Sequence, residues 1–407
     1  MPRWDEGEDC MAIIEVDLAV VGCGAIGASC AYQAAKRGLN VAVFDAKMPT
    51  AGSSGACNGS ICGTTKRPGL MMELTVASKA LFPEIVEDLG GGLEYKVNGG
   101  LMICEDEAVA EAAEPHAAEL HDVGTEINYL SGERLRQAEP ALSPDLHGAY
   151  HVPDEATINA QMWTFALVRG AVALGARTFW NTSPLGFEVD GARIKAMDTA
   201  AGRVVAENYL FTAGVWSRPL GAMVGVDIPV VPRRGELVMT DRGAAFTGMK
   251  LISAQYLTVK QDAETVAASE DPAIRLGYGF SLGTSAHGQT MMGSTRAFVG
   301  YDSRSTPEGI ATLISEAIKR VPPLAGARVL RCFAGFRPYV ADGKPIVGRS
   351  GIVENLLVAA GHEGDGICLS PITGAMIADL ATGTKPAYDI GELTPDRFGV
   401  AKAEAAA

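Results

Sequence analysis

Three features of the sequence predict an α/β fold, α+β overall, in two domains. They are a strand, glycine turn, helix and second strand within residues 16–45, a length of 407 residues, and alternating strand-like segments beyond residue 230. Residues 16–21 alternate and then run apolar, as a buried parallel strand does. Gly22-x-Gly24-x-x-Gly27 follows, then residues 25–37, rich in Ala and free of Pro, read as a helix that Gly38 closes. Residues 41–44 form a second strand that ends at Asp45, which completes a βαβ unit. The chain exceeds the ~250–300 residues at which one hydrophobic core stops growing, so a second domain is expected.

Each part of the unit has a physical task. Gly22 makes the tight turn, Gly24 admits a pyrophosphate close to the backbone, and Gly27 lets the helix pack on the strand. The helix N-terminus at Ala25 and Ile26 attracts the phosphates. Asp45 is placed to accept hydrogen bonds from a ribose diol, and its charge disfavours a 2′-phosphate, which leaves NAD or FAD. The next segment, AGSSGACNGSICG at residues 51–63, is a second loop of small residues with many backbone donors. A nicotinamide site has no evident need for it, whereas the longer arm of a flavin dinucleotide must be covered from a second side. Near the other end of the chain an apolar strand at residues 356–359, the turn GHEGDG and a helix expected to begin near Pro371 repeat the device. A Rossmann-like domain for one extended FAD is the reading that accounts for all three loops.

The rest of the chain carries further strand and helix signals. Residues 187–192 and 203–212 read as strands bounded by the turn pairs Asp190-Gly191 and Ala201-Gly202. Residues 237–240, 256–260 and 290–295 carry strand alternation and are expected to form a mixed or antiparallel sheet over the flavin. Residues 308–320 read as an amphipathic helix stopped by Pro322-Pro323, and a frayed tail is expected after Gly399. A net charge of −14 with no basic block excludes nucleic acid and anionic membrane surfaces as partners. No window approaches eighteen apolar residues and the first ten are acidic, so neither a transmembrane segment nor a secretory signal is expected, and the cytoplasm is the expected compartment. Eight scattered cysteines without a CxxC pair read as reduced thiols. Cys57 and Cys62 are the one pair close enough to suggest a metal or cluster site, and they lack further ligands.

Five separated motifs carry a family resemblance: VVGCGAIGASCAYQAAKRGLNVAVFDA, GSSGACNG, YLFTAGVWS, GFRPYVADGKPIVGRS and GHEGDGICLSPITG. Together they resemble the D-amino-acid oxidase superfamily of flavoproteins, which holds the glycine and sarcosine oxidases. Within it the loops look most like the flavin-bearing β subunits of heteromeric enzymes such as octopine or nopaline oxidase, D-hydroxyproline dehydrogenase and hydrogen cyanide synthase. The resemblance implies a discontinuous FAD-binding domain from residues 14–90, 146–220 and 335–390, a substrate domain from 91–145 and 221–334, and a tail at 391–407. It implies a non-covalent FAD held by Gly22, Gly24, Ala25, Ile26, Gly27, Asp45 and Ala46, and by Ser53, Ser54, Gly55, Asn58, Gly59 and Ser60. Pro184, Thr212, Ala213, Gly214, Trp216, Gly335 and Arg337, with Gly361, His362, Glu363, Gly364, Asp365, Gly366 and Ile367, complete that set.

The activity so implied is oxidative cleavage of the C–N bond of an amino acid or secondary-amine acid of the opine type. Arg337 matches the guanidinium that relatives place against the substrate carboxylate, and Tyr256 matches a hydroxyl beside it. Arg296 stands where glycine oxidases carry an apolar side chain, so it is a candidate for the second carboxylate of an opine. Glu363 is a candidate to accept a proton from the substrate ammonium or to bind a basic arm. The likeness to β subunits implies an α subunit, a small iron–sulfur-type subunit and an FMN at a subunit interface. A self-sufficient oxidase that forms hydrogen peroxide and a flavin-holding scaffold subunit stay open as alternatives.

Overall fold

The computed structural model describes residues 12–243, 246–255 and 271–399. Ile13–Val21 is the axis of an eight-stranded sheet, flanked in parallel by Val41–Phe44 and Gly202–Phe211, with Arg177–Phe179 beyond Val41–Phe44. All four residues of Val41–Phe44 are buried, which is why this part of the sequence runs apolar instead of alternating. Gly202–Phe211 forks. Its first residues pair antiparallel with Arg193–Thr199, and its last three run parallel to Leu356–Ala360. Pro184–Asp190 and Ile346–Arg349 complete the two branches. Helices Ala25–Lys36, Ala160–Ala173 and Gly366–Ala381 pack together, and Trp163, fully buried among them, donates its indole N–H to Ser370 Oγ at 3.0 Å.

The second sheet also has eight strands. In order they are Val329–Tyr339, Val231–Thr240, Thr290–Gly293, Ser281–Thr284, Lys250–Ser253, Gly100–Cys104, Gly148–Val152 and Asn128–Leu130. Every pair is antiparallel except Lys250–Ser253 with Gly100–Cys104. Val238, Leu251, Leu282 and Met292 share a core with Leu313 and Ala317 of helix Pro307–Arg320. The alternate residues, Leu237, Gly293 and Ser281, are cross-strand neighbours on the opposite face. That helix begins where the sequence reading put it, with Thr306 Oγ1 accepting from Gly309 N–H at 3.0 Å as N-cap.

Several expectations shift. The last long helix starts at Gly366, not near Pro371, which lies inside it; Pro371 has no N–H for the carbonyl of Ile367, and Ser370 Oγ donates to that carbonyl instead, at 2.8 Å. Gly148–Val152, expected with the cofactor half from residue 146, is hydrogen-bonded into the second sheet, and residue 335 lies inside Val329–Tyr339. The segment after residue 390 is packed at least to Gly399: Leu393 is fully buried and Arg397 Nε donates to Asp342 Oδ2 at 2.8 Å. The strand expected at residues 256–260, with Tyr256, lies outside the described residues. Among the described residues no helix is long and apolar enough to cross a membrane, and Cys23, Cys30, Cys57, Cys62, Cys104, Cys332 and Cys368 are free thiols.

Candidate active site

The turn end of the first sheet is built by backbone approach. Gly22 has φ +106°, and a Cβ there would sit 2.6 Å from the carbonyl oxygen of Thr212. A Cβ on Gly27 would sit 2.0 Å from the carbonyl oxygen of Gly22, so only glycine lets this helix approach its strand. Asp45 is anchored by the same turn: Cys23 N–H donates to Oδ2 at 2.7 Å and Lys47 N–H to Oδ1 at 2.8 Å. Each carboxylate oxygen keeps a further acceptor site for a diol. Ser54 Oγ accepts from Ala25 N–H at 2.9 Å, which ties the second glycine loop to the first helix start.

Between these turns and the second sheet lies a cavity of about 640 Å³. Of the residues expected at the cofactor, it is lined by Gly22, Gly24, Ala25, Ile26, Asp45, Ala46, Ser53, Ser54, Asn58, Pro184, Thr212, Ala213, Gly214, Trp216, Gly335 and Arg337. Gly361, His362, Glu363, Gly364, Gly366 and Ile367 line it from the third loop. Five expected residues stand behind the wall. Gly27 packs the helix, while a Cβ on Gly55 or Gly59 would lie 2.1 Å from Thr50 O or 1.8 Å from Ile158 O, so these two shape the loop. Ser60 Oγ donates to Asn58 Oδ1 at 2.9 Å, and Asp365 forms an ion pair with the buried Lys66. Cys57 also lines the cavity; burial pushes its thiol up to about 11, with Lys250 pulling the other way, and the described residues hold no group of three metal-ligating side chains. Cys332 is exposed and off the cavity wall.

The second sheet supplies the charged end. Arg233 and Arg337 are directly opposite each other on neighbouring antiparallel strands, followed in register by Gly235 opposite Gly335. A Cβ on Gly235 would lie 2.2 Å from Arg337 Nη1, so the guanidinium occupies the space that a side chain would fill. Arg337 Nη1 donates to the carbonyl of Thr295 at 3.1 Å and Nη2 to Ser294 Oγ. Glu363 Oε1 accepts from Arg233 Nη2 and lies 3.9 Å from Arg337 Nε, while Oε2 accepts from Gly364 N–H at 2.8 Å. The carboxylate thus separates two like charges that the register forces together. His362 is buried, with Nε2 3.1 Å from Thr373 Oγ1; burial draws its pKa down to about 4, with Asp365 opposing, so the ring is neutral near pH 7.

Arg296, read from the sequence as a candidate for a second carboxylate, is buried, donates from Nη1 to the carbonyl of Gly277 at 2.9 Å and does not line the cavity, although its neighbour Ala297 is still bridged to Arg234. A second cation, Arg233, stands opposite Arg337 and is paired with Glu363, behind the residues that line the cavity. Its signal was available in RRGELVM, where strand alternation places 233 and 235 on one face; its partner Arg337, a hundred residues on, was not. Glu363 likewise is an ion-pair partner of Arg233 and Arg337, whereas the sequence reading offered it as a proton acceptor or a seat for a basic arm.

A glycine turn at a helix start, an anchored carboxylate at the end of the next strand, two further loops and a guanidinium line one cavity, the layout of a dinucleotide-dependent enzyme. The chain belongs to the family described as FAD dependent oxidoreductase (DAO), whose model matches residues 17–380, and FAD is its cofactor. It is 28% identical over 390 residues to glycine oxidase of Geobacillus kaustophilus, covering 94% of this chain and 97% of that protein. It is also 28% identical over 424 residues to hydrogen cyanide synthase subunit HcnC of Pseudomonas aeruginosa, covering 94% and 96%. The crystal structure of the Geobacillus kaustophilus glycine oxidase superposes with a TM-score of 0.84 at 26% identity, over 94% of this chain and 99% of that one. The resemblance read from the sequence motifs is therefore borne out at the level of the family, and the enzyme is an oxidoreductase.

Proposed function

We propose that the enzyme oxidises the C–N bond of an amino acid or secondary-amine acid and that Arg337 fixes the substrate carboxylate. FAD, when bound, supplies the two-electron acceptor for the C–H bond; the resulting imine is hydrolysed to a keto acid and an amine. Gly22, Gly24 and the start of helix Ala25–Lys36 would hold its pyrophosphate, and Asp45 its ribose. The protein's remaining tasks are to orient the acid and to keep bulk water away, and the named residues suit both. The observation that carries this reading is the Arg337 guanidinium on the cavity wall, laid over Gly235 and steadied by Ser294 and Thr295. The first sheet and its helices are assigned cofactor binding and the second sheet substrate binding, in place of the linear boundaries.

The test is anaerobic bleaching of the bound flavin by glycine, sarcosine, proline and opines. Arg337→Met should keep its FAD and lose about 10²–10⁴ in kcat/KM on every acid that the wild type oxidises. Undiminished bleaching in the variant would refute the assignment.

The likeness to the HcnC subunit supports a role as the catalytic β subunit of a heteromeric dehydrogenase, with an α subunit, an iron–sulfur-type subunit and an interfacial FMN as its partners. In that case the lone chain is yellow, is reduced by substrate and forms little peroxide. Rapid peroxide formation would instead establish a self-sufficient oxidase. Arg296, which bonds the carbonyl of Gly277 and does not line the cavity, is not placed to meet an opine's second carboxylate.

A further inference from the structure

We propose that Ser281 is the second sheet's hydrogen-bond donor to the flavin ring: Asn58 donates to its hydroxyl oxygen, which leaves its proton for the ring, and that proton raises the affinity of the bound flavin for electrons. The proposal goes beyond the choice of substrate, and it rests on the reading of Arg337 only for which end of the cavity takes the ring.

The directions of two hydrogen bonds follow from what each group can do. Ser60 Oγ donates to Asn58 Oδ1 at 2.9 Å, so the carbonyl end of the amide is engaged. Nδ2, which can only donate, faces Ser281 Oγ at 2.9 Å. The Ser281 oxygen is thereby the acceptor, and its own proton meets no acceptor among the described residues. Across the ladder Ser281 is opposite Gly293, which is in turn opposite Leu237. Leu237 covers that glycine, for a Cβ on Gly293 would lie 2.4 Å from Leu237 Cδ2. The next side chain on the wall is therefore apolar and offers the proton nothing. Asn58, Ser281 and Leu237 all line the cavity.

Two observations favour the ring over the rest of the cofactor. The second glycine loop lies across the second sheet: Ser53 Oγ donates to the carbonyl of Phe336, a Cβ on Gly335 would lie 2.4 Å from Ala56 Cβ, and Asn58 reaches Ser281. Ser281 is thus where the loop expected to cover the flavin arm meets the sheet. In addition, Asp45 and Pro184 line the cavity from the first sheet, whereas Leu237, Ser281 and Arg337 line it from the second. A cofactor stretched between the two sheets, with its ribose at Asp45, presents its ring to the second, where the acid must meet it. Acceptor atoms of the ring carry more negative charge once it has taken two electrons, so a donor there holds the reduced form more firmly than the oxidised one.

The experiment measures, on the FAD-loaded full chain without substrate, the absorption spectrum of the flavin and its two-electron potential against a reference dye. Ser281→Ala should shift the visible bands and favour the oxidised flavin by about tenfold, a fall of about 30 mV. Asn58→Ala frees the hydroxyl to turn; it should move the potential the same way by less, and should add nothing in the Ser281→Ala background. Where Ser281→Ala does not retain FAD, Ser281→Cys, a weak donor of similar shape, is measured in its place, with the same direction expected. A merely structural role for Ser281 would change stability or FAD affinity and leave the potential where it was. An unchanged or raised potential in the Ser281 variant, or an Asn58→Ala effect that persists undiminished in the double variant, overturns the proposal. Because substrate is absent throughout, these readouts are separate from the carboxylate assignment: undiminished kcat/KM in Arg337→Met would refute Arg337 and leave a fall in potential at Ser281 standing.

Discussion

The two walls of the cavity are made in different ways. On the first sheet the working parts are backbone: a turn at φ +106°, a helix start, and a glycine whose Cβ would collide with a carbonyl 2.0 Å away. On the second sheet they are side chains of the kind sequence reading finds hardest, charged groups brought together only by strand register, as Arg337 on the wall and Arg233 behind it are. A substitution that adds one carbon should therefore be ruinous on the first wall, whereas on the second wall the sign and size of an effect should follow charge.

The largest effect expected is from Gly27→Ala, which forces helix Ala25–Lys36 off its strand. Overpacking of this kind costs about 1–3 kcal/mol or more, and FAD uptake, read by absorbance of the purified protein, should be lost or nearly so. A Gly27→Ala protein that binds FAD as wild type does would break the distinction between the walls. Next comes Lys250, wholly buried on the second sheet with its amine unbonded, in reach of Cys62, Glu155 and Cys57. Burial lowers its pKa to about 8 from an ordinary 10.5, and the neighbouring acid groups oppose that shift. The folded state then binds fewer protons than the unfolded state between pH 8 and 10.5, so this lysine's cost is full below pH 8 and fades as the pH rises to 10.5. Lys250→Met should raise the melting temperature at pH 7 by several degrees, on the order of 1–3 kcal/mol, and the gain should shrink toward pH 10.5. A pH-independent or negative change would show that packing, not charge, governs this wall.

His362 offers the matching test on the cofactor side. Its folded pKa, about 4, lies below the ordinary 6.5, so the unfolded chain takes up the proton first and stability is lost as the pH falls from 6.5 toward 4. His362→Asn should flatten that limb of the stability–pH curve by about 1–3 kcal/mol relative to wild type, measured by urea unfolding. Parallel curves for the two proteins would place the loss of stability on other groups. The smallest effect expected is at Asp45: Asp45→Asn keeps the bond from Cys23 N–H, loses the one from Lys47 N–H because the amide NH2 cannot accept it, and should weaken FAD binding by about tenfold. Complete loss of FAD would mean that the acid holds the turn itself.

This contrast explains what was legible. The βαβ unit, the acid at its end and the second and third glycine loops could be read because each is local: its function is encoded within a few residues of spacing. Arg337 was reached through a motif, GFRPYVADGKP, and stands on the cavity wall. Arg233 and Gly235 were missed because their meaning lies in a pairing with residues 337 and 335, set by register that the sequence of one strand does not carry. Arg296 bonds the carbonyl of Gly277, nineteen residues earlier, a contact that no local stretch of sequence carries. Pro371 misled because proline at a helix start is the commoner pattern, and the hydroxyl of Ser370 that makes an internal proline tolerable is visible only in three dimensions. Strands of the second sheet come from both sides of residues 146 and 335, a pairing that no local stretch of sequence carries.

The account stands most directly on the carboxylate. The decisive measurement compares, under anaerobic conditions, the rate at which the bound flavin is bleached by an amino acid that the enzyme oxidises and by the amide of the same amino acid. If Arg337 holds the acid as described, the amino acid bleaches the flavin and the amide, at equal concentration, is slower by about 10²-fold or more. Equal rates for the two would contradict the central claim.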